Sequence, residues 1–410
     1  MKMKNLWKKI KYWGQLLSLL LYGLSFLMPR NKKLWVIGST FGTRFADNPK
    51  YFYLYLNQYR SEEVRAVWIS KSKEVIQFLK ENQLEGYYLY SIRGIWYALR
   101  AKVYLYDNYS KDICFPLSGG TVKINLWHGI PLKKIQKDNL FDYIRNPRTK
   151  RERFCSIPRR ISDEKPSDYV LTTSDYLKPY FASAFQTDRV LISGYPRNDC
   201  ILNKEFRTIS TEQELKTLEK ICHIKAGNKL ILYMPTFRDS EIKFFEVMDL
   251  KRFTMFLKRE SMFFLVKLHP KSKLYDKFAA MEGENIHIID RTEDPYPLLG
   301  QVDLLVTDYS SIYFDFLLTG KPILFFPYDI SEYINESREM YFDYETFTPG
   351  KKVYSEEELE AELTVKEDLY SDARQKLRDK VFDPVRSSNG SEYLYQEICR
   401  LLKIEGKGPV

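Results

Sequence analysis

Two histidines stand where apolar runs give way to polar turns. His128 lies in "NLWHGIPLKKI" (125–135), between Trp127 and Gly129, with Lys133 and Lys134 following. His269 lies in "VKLHP" (266–270), two residues after Lys267. The 410-residue chain holds only four histidines. Removing a proton from an alcohol at neutral pH suits a neutral imidazole, whose ordinary pKa is about 6.5. Donors and cations mark the ends of other apolar runs. These are Arg197 in "SGYPRND" (193–199), Thr236 and Arg238 in "YMPTFRD" (233–239), and Asp308, Ser310 and Ser311 in "TDYSSIYFDF" (307–316). Arginine offers phosphate a planar fork of donors. Hydroxyls at a helix start sit where free N–H groups and the dipole favour an anion. Each turn also has a plainer reading: a His before a Pro is commonly structural, a Ser at a helix start commonly caps it, and Lys133–Lys134 reads equally as a solvated loop face. Besides the His128 turn, four such turns in one chain point to work on a phosphate-bearing substrate.

Those turns need strands to carry them. Apolar runs at 33–39, 64–70, 101–108, 122–129, 168–174 and 189–199 alternate with helical patterns. A polar stretch at 203–228 follows, and the same grammar restarts at 229–239, 262–270, 286–290, 302–308 and 322–329. Alternating strand and helix with turn chemistry at the strand ends predicts parallel, doubly wound α/β sheets. The expected division is a segment at 1–30, a first Rossmann-like unit at 31–208, and a second at 209–410 with a terminal helix. A cleft then lies between the units, with ligands at the carboxyl ends of the strands.

The N-terminal segment has its own pattern. Five lysines (2, 4, 8, 9 and 11) interleave with Leu6, Trp7, Ile10, Tyr12 and Trp13, and the apolar run "LLSLLLYGLSFLM" (16–28) follows. Thirteen residues are short for a bilayer span of about 20, and no small-residue cleavage site follows. Lysine on head groups, Trp at the interface and Leu in the acyl boundary suit a monotopic anchor on an anionic membrane. The competing expectation is a terminal helix docked on the body. Deleting residues 1–30 is expected to release the chain from membranes and leave the fold intact.

The net charge of +10 suits an anionic partner. The basic residues are dispersed and no reader motif appears, which argues against nucleic acid. Five cysteines without a CxxC fit a reducing cytoplasmic setting. There is no GxGxxG, no GxxxxGK[ST], no HExxH and no DxD pair. The chemistry is therefore expected to need no cofactor and no tightly held metal.

Together, "NLWHGIPLKKI", "SGYPRND", "YMPTFRD", "KLHP" and "TDYSSIYFDFLLTGKPILFFPYD" resemble the CDP-glycerol glycerophosphotransferases of teichoic-acid synthesis. "GTRFADNPKYFYLYL" (42–56) resembles that family's N-terminal SDNP segment. The resemblance runs in order over roughly residues 34 to 390. It implies a GT-B-like fold, with the CDP-alditol in the second half and a lipid-linked or polymeric acceptor in the first. It also implies peripheral attachment at the cytoplasmic face of a bacterial membrane. The reaction implied is transfer of glycerol phosphate or ribitol phosphate with release of CMP. His128 would be the general base and His269 would hold phosphate on the donor side. Arg197, Thr236, Arg238, Lys267, Asp308, Ser310 and Ser311 would bind substrate, while Trp127, Gly129, Lys133 and Lys134 would line the acceptor side. The segment "FDPVRSSNGSEYLY" (382–395) departs from the family's Asp-Gly-x-Ser pattern, so no nucleotide-binding residue carries over there.

Two other readings stay open. A GT-B glycosyltransferase would share the phosphate turns, and turnover of CDP-alditols but not UDP-sugars would separate the two. A non-catalytic polyanion-binding protein at a membrane would explain the charge and anchor but not two histidines at strand ends. Glycerol against ribitol, primase against polymerase, wall polymer against capsule, and a homo-oligomer all remain open.

Overall fold

A computed structural model describes residues 12–161, 165–225, 227–238, 243–269, 272, 274–283, 285–330 and 339–404. The lysines at 2, 4, 8, 9 and 11 lie outside the described residues.

The first sheet has seven strands: β1 (Asn31–Ile37), β2 (Arg65–Ser70), β3 (Gly86–Tyr88), β4 (Ala101–Tyr106), β5 (Val122–Asn125), β6 (Tyr169–Thr172) and β7 (Val190–Ile192). Their order is β3-β2-β1-β4-β5-β6-β7, and every pairing is parallel. The second sheet has six: β8 (Lys229–Tyr233), β9 (Met262–Val266), β10 (Ile286–Ile288), β11 (Leu304–Thr307), β12 (Ile323–Phe325) and β13 (Lys351–Lys352). Their order is β10-β9-β8-β11-β12-β13, again all parallel. The expected strands are present, and two edge strands are additions. β3 is three residues long, and β13 is a Lys-Lys pair with no apolar alternation to announce it.

Helices cover both faces of such sheets, so central strands read as continuous apolar runs. Residues Leu34–Ile37 and all of β9 are buried. Each large side chain so buried stabilises the fold by about 1.5–3 kcal/mol. Both sheets reverse direction beside their first strand, between β1 and β4 and between β8 and β11. Open α/β sheets leave a crevice at this point, outside the carboxyl ends of the strands.

The end of the chain departs from the expected division. The helix Gly390–Leu402 returns to the first sheet instead of completing the second half. Tyr395 packs on Trp35 with ring centroids 5.9 Å apart, and Glu392 pairs with the buried Arg60 at 2.7 Å. Asp199 accepts the N–H groups of Gly390 and Ser391 at 2.9 and 3.0 Å. A Cβ on Gly390 would lie 2.6 Å from the Gly194 carbonyl oxygen, so only glycine fits this crossing. The divergent segment 382–395 is thus the bridge back to the first half.

The helix Ser18–Ser25 is half docked. Tyr22 stacks on Phe115 at 4.6 Å, and Ser25 is buried with its hydroxyl accepting the Gly119 N–H at 2.8 Å. Arg30 donates to the carbonyls of Ala98 and Leu117 at 3.0 Å each. Its opposite side leaves Leu17, Leu20, Leu21 and Leu24 exposed. Among the described residues no helix is long and apolar enough to cross a membrane.

Candidate functional site

The turn after β5 is held in an unusual shape. Trp127 has φ +52° and Gly129 has φ +140°. Trp127 N–H donates to Asn125 Oδ1 at 2.8 Å. Asn48 Nδ2 donates to the carbonyls of Leu126 and Trp127 at 3.1 and 2.8 Å. These bonds pin a conformation that a bulky residue rarely adopts. Gly129 is required twice over, by its φ and by space. A Cβ there would lie 3.0 Å from Arg197 Nη2 and 3.4 Å from Ser311 Oγ. Trp127 is therefore buried under the turn, its ring 3.8 Å from that of His128, while His128 itself is exposed. Nδ1 of His128 faces the Asp107 carbonyl oxygen at 3.3 Å.

Asp107 follows β4 and ties its end to the turn after β1. Its carboxylate accepts Ser39 Oγ–H at 2.8 Å, Thr40 N–H at 3.0 Å and Asn108 Nδ2–H at 2.8 Å. Burial, and then repulsion from Asp112, hold its carboxyl well above the usual carboxylate range.

The facing wall comes from the second sheet. After β11, Asp308 accepts Thr236 N–H at 2.8 Å, which fixes the turn after β8 to the turn after β11. Ser311 precedes the helix Ile312–Leu317 but makes no side-chain cap bond. The helix is only six residues long, so its offering to an anion is the two hydroxyls and not a strong dipole. Thr236 Oγ1 is buried and, among the described residues, has no hydrogen-bond partner. His269 is exposed beyond β9, its ring 5.2 Å from that of Phe237.

One cavity of about 310 Å³ brings the two walls together. Trp127, His128, Gly129, Lys133, Thr236, His269, Ser310 and Ser311 line it. A neighbouring cavity of about 300 Å³ shares His269 and Ser310 and adds Lys267. Lys267 is buried, donates to the Asp290 carbonyl, and its ammonium is pushed down to about 8, chiefly by that burial.

Three expected ligands are engaged elsewhere. Arg238 is clamped by Asp308 at 2.7 Å and by both oxygens of Asp329. Asp308 is itself buried and acts as that anchor. Arg197 is fully buried, between Asp47 and Asp315 at 2.7 Å each. Desolvation works against the Arg197 charge, and Asp315 and Asp47 outweigh it, so its proton is held more tightly than usual. Neither arginine is a free fork for phosphate. Lys134 forms a solvent-exposed pair: its ammonium meets Glu339 at 2.6 Å, and its N–H donates to the Glu339 carbonyl at 2.8 Å. Tyr341 N–H returns a bond to Leu132, so this loop crosses between the two halves.

Asp47, Asn48, Asp107 and Asp315 were not singled out from the sequence. Asp47 and Asn48 fall in the stretch that resembles the family's SDNP segment, which gave neither side chain a role, and nothing in the sequence marked Asp315.

Residues 20–400 match the family model for CDP-glycerol:poly(glycerophosphate) glycerophosphotransferase. A teichoic acid poly(glycerol phosphate) polymerase of Bacillus spizizenii is 31% identical over 79% of this chain and 81% of its own length. A polymerase of the same name from Bacillus subtilis is 29% identical over 82% of this chain, which spans 44% of that longer protein. A teichoic acid ribitol-phosphate primase of Bacillus spizizenii is 26% identical over 80% of this chain and 81% of its own. Among solved structures, a variant of the wall teichoic acid polymerase TagF soaked with CDPG shares the fold at TM-score 0.70. It is 24% identical and covers 98% of this chain and 99% of that one. Two parallel α/β sheets meet at a histidine- and hydroxyl-lined cleft, and the family match covers nearly the whole chain: this protein belongs to the CDP-glycerol:poly(glycerophosphate) glycerophosphotransferase family.

Proposed function

We propose that this chain transfers glycerol phosphate or ribitol phosphate from a CDP-alditol to a lipid-linked acceptor or a growing teichoic-acid-type polymer. The observation that carries the reading is the single cavity shared by His128, His269, Ser310 and Ser311. The acceptor hydroxyl enters from the first half and loses its proton to His128 Nε2. Its oxygen bonds to the β-phosphorus as the bond from that phosphorus to the CMP oxygen breaks. His269, Ser310, Ser311, Thr236 and Lys267 hold the pyrophosphate and offset the charge that develops on it. CMP leaves as the anion. Donor and acceptor suffice in this scheme, in keeping with the absence of a DxD pair from the sequence.

The chain works at the cytoplasmic face of the membrane as a peripheral protein in this reading. Support comes from the exposed row of Leu17, Leu20, Leu21 and Leu24. Trp13 contacts Phe154 on the basic helix Lys150–Ile161 at 4.8 Å, so a lysine- and arginine-rich helix packs just upstream of that row.

The deciding assay incubates the full chain separately with CDP-glycerol, CDP-ribitol and a UDP-sugar, with a lipid-linked acceptor analogue. CMP release and product length are measured. Release from one CDP-alditol alone identifies the polyol, and product length separates a single addition from polymer growth. Turnover of the UDP-sugar alone would establish a glycosyltransferase, and no turnover with any donor would leave a binding protein.

A further inference from the structure

Arg197 has an arrangement that neither substrate binding nor simple core packing accounts for. Its Nη1 meets Asp47 Oδ1 at 2.7 Å, and its Nη2 meets Asp315 Oδ2 at 2.7 Å. Asp47 opens the helix Asp47–Tyr59 of the first half. Asp315 lies in the helix Ile312–Leu317 of the second half, four residues after Ser311. The guanidinium sits 4.7 Å from the ring of Tyr296 and 5.2 Å from that of Tyr195, so one aromatic comes from each half. Two further contacts reach the His128 turn. Arg197 N–H donates to Asn48 Oδ1 at 3.3 Å, and Asn48 holds the carbonyls of Leu126 and Trp127. Nη2 also stands against Gly129, where a Cβ would come within 3.0 Å of it.

We infer that Arg197 is a positioning residue: with Asp47 and Asp315 it sets the His128 turn against the Ser310–Ser311 turn across the interface between the halves. It does not touch substrate. The inference rests on the reading above, in which those two turns jointly carry out transfer.

The physical argument is one of geometry and burial. A planar fork reaches two carboxylates in different directions, which a lysine ammonium on its flexible stem does not reproduce. A buried charge needs its partner, and a small slip of one half against the other would lengthen these ion pairs before water could enter to replace them. The clasp therefore resists small displacements, and small displacements are what transfer chemistry does not tolerate. A shift of about 1 Å between reacting groups can cost about 100-fold in rate.

The test uses the full chain with Arg197→Lys, Asp315→Asn and Asp47→Asn. Asp47 is the least buried of the three, so its variant is the one expected to fold in every case. Turnover with the active CDP-alditol, donor affinity by calorimetry, and amide exchange by mass spectrometry are compared with the unmodified chain. Turnover is expected to fall by about 100-fold for Arg197→Lys and by a smaller factor for Asp47→Asn. Donor affinity is expected to stay within about threefold. Exchange is expected to rise in 126–132 and 308–317 but not in β1, β4, β8 or β11. Unchanged turnover in a folded variant overturns the inference. So does a loss confined to donor affinity, which would make Arg197 a ligand, or a uniform rise in exchange, which would make it ordinary core. If the unmodified chain turns over no CDP-alditol, the functional reading fails while the exchange data still decide whether Arg197 couples the two turns.

Discussion

Nδ1 of His128 faces the backbone carbonyl of Asp107 at 3.3 Å. A carbonyl only accepts, so this contact favours the tautomer with the proton on Nδ1 and leaves the Nε2 lone pair for the cleft. Asp107 is itself fixed by Ser39 and Thr40, which makes the ring's support rigid. His128→Ala is expected to lower turnover by about 10²–10⁴-fold, the usual contribution of a positioned base. Donor affinity should be nearly unchanged, because the ring stands on the first-sheet wall of the cavity, where the proposed reading puts the acceptor. Steady-state kinetics with calorimetry checks both. Near-full activity would pass the proton to solvent or to a phosphate oxygen instead.

His269 belongs to both cavities and is expected to behave differently. His269→Ala should lower turnover and weaken CDP-alditol binding together. His223 is an exposed residue of the helix Glu212–Lys225 and is a clean control, expected within a few-fold of the unmodified chain. His287 lies within a strand, away from the motif turns, and serves as a second control for activity per folded molecule. It is buried in β10 and meets Glu282 at 2.8 Å and Lys220 at 2.9 Å. His287→Ala is expected to lower the melting temperature while activity per folded molecule holds.

Arg238 separates a structural role from a phosphate-binding one. Removing it would leave Asp308 and Asp329 buried without their cation. Breaking such a pair typically costs about 3–5 kcal/mol. Arg238→Ala is therefore expected to lower the denaturant midpoint strongly, with the activity loss following the unfolded fraction. A stable variant with weakened donor binding would show that the guanidinium turns toward the pyrophosphate.

Lys267 supplies a pH dependence. Its folded value of about 8 lies below the ordinary lysine value of 10.5. Between these values the folded chain binds fewer protons than the unfolded chain. The cost of burying the charge is thus present at neutral pH and is relieved as pH rises through that window. A pyrophosphate would draw the proton back. Donor binding at about pH 8.5 is expected to take up protons, measured by calorimetry in buffers of different ionisation enthalpy. Little uptake is expected near pH 6.5, and none in Lys267→Met. No uptake at the higher pH would place Lys267 away from the phosphates.

The exposed leucines test the membrane reading better than a deletion does. Removing residues 1–30 would also strip the docked contacts of Tyr22, Ser25 and Arg30, so it is expected to destabilise the body. Leu17, Leu20 and Leu24 are 71%, 69% and 60% exposed and carry no such contacts. Replacing all three with Ser should reduce co-sedimentation with anionic phospholipid vesicles at least about tenfold, given about 1.5–3 kcal/mol per buried leucine. The melting temperature should not move. Undiminished binding would assign the membrane contact to another surface.

The sequence by itself determined the strand grammar, the two parallel sheets and the turns that bear His128, His269, Ser310 and Ser311. Apolar runs of strand length, broken by Gly, Pro and polar residues, are local signals, and they place those residues at strand ends wherever the strands lie. Tertiary structure decided which cations stay free. Arg197, Arg238 and Lys267 all follow apolar runs, and nothing local distinguishes them. The two arginines met buried carboxylates from distant segments, Asp315 and Asp329 among them, while Lys267 donates to a carbonyl, and its burial outweighs the nearby carboxylates and weakens its hold on its proton. Pairing a buried charge depends on which segments the fold brings within about 4 Å, a long-range property that no window of sequence carries. The same holds for the terminal helix. Its apolar face is evident from its sequence, but its seat on the first sheet depends on Gly194 and Gly390 meeting across almost two hundred residues.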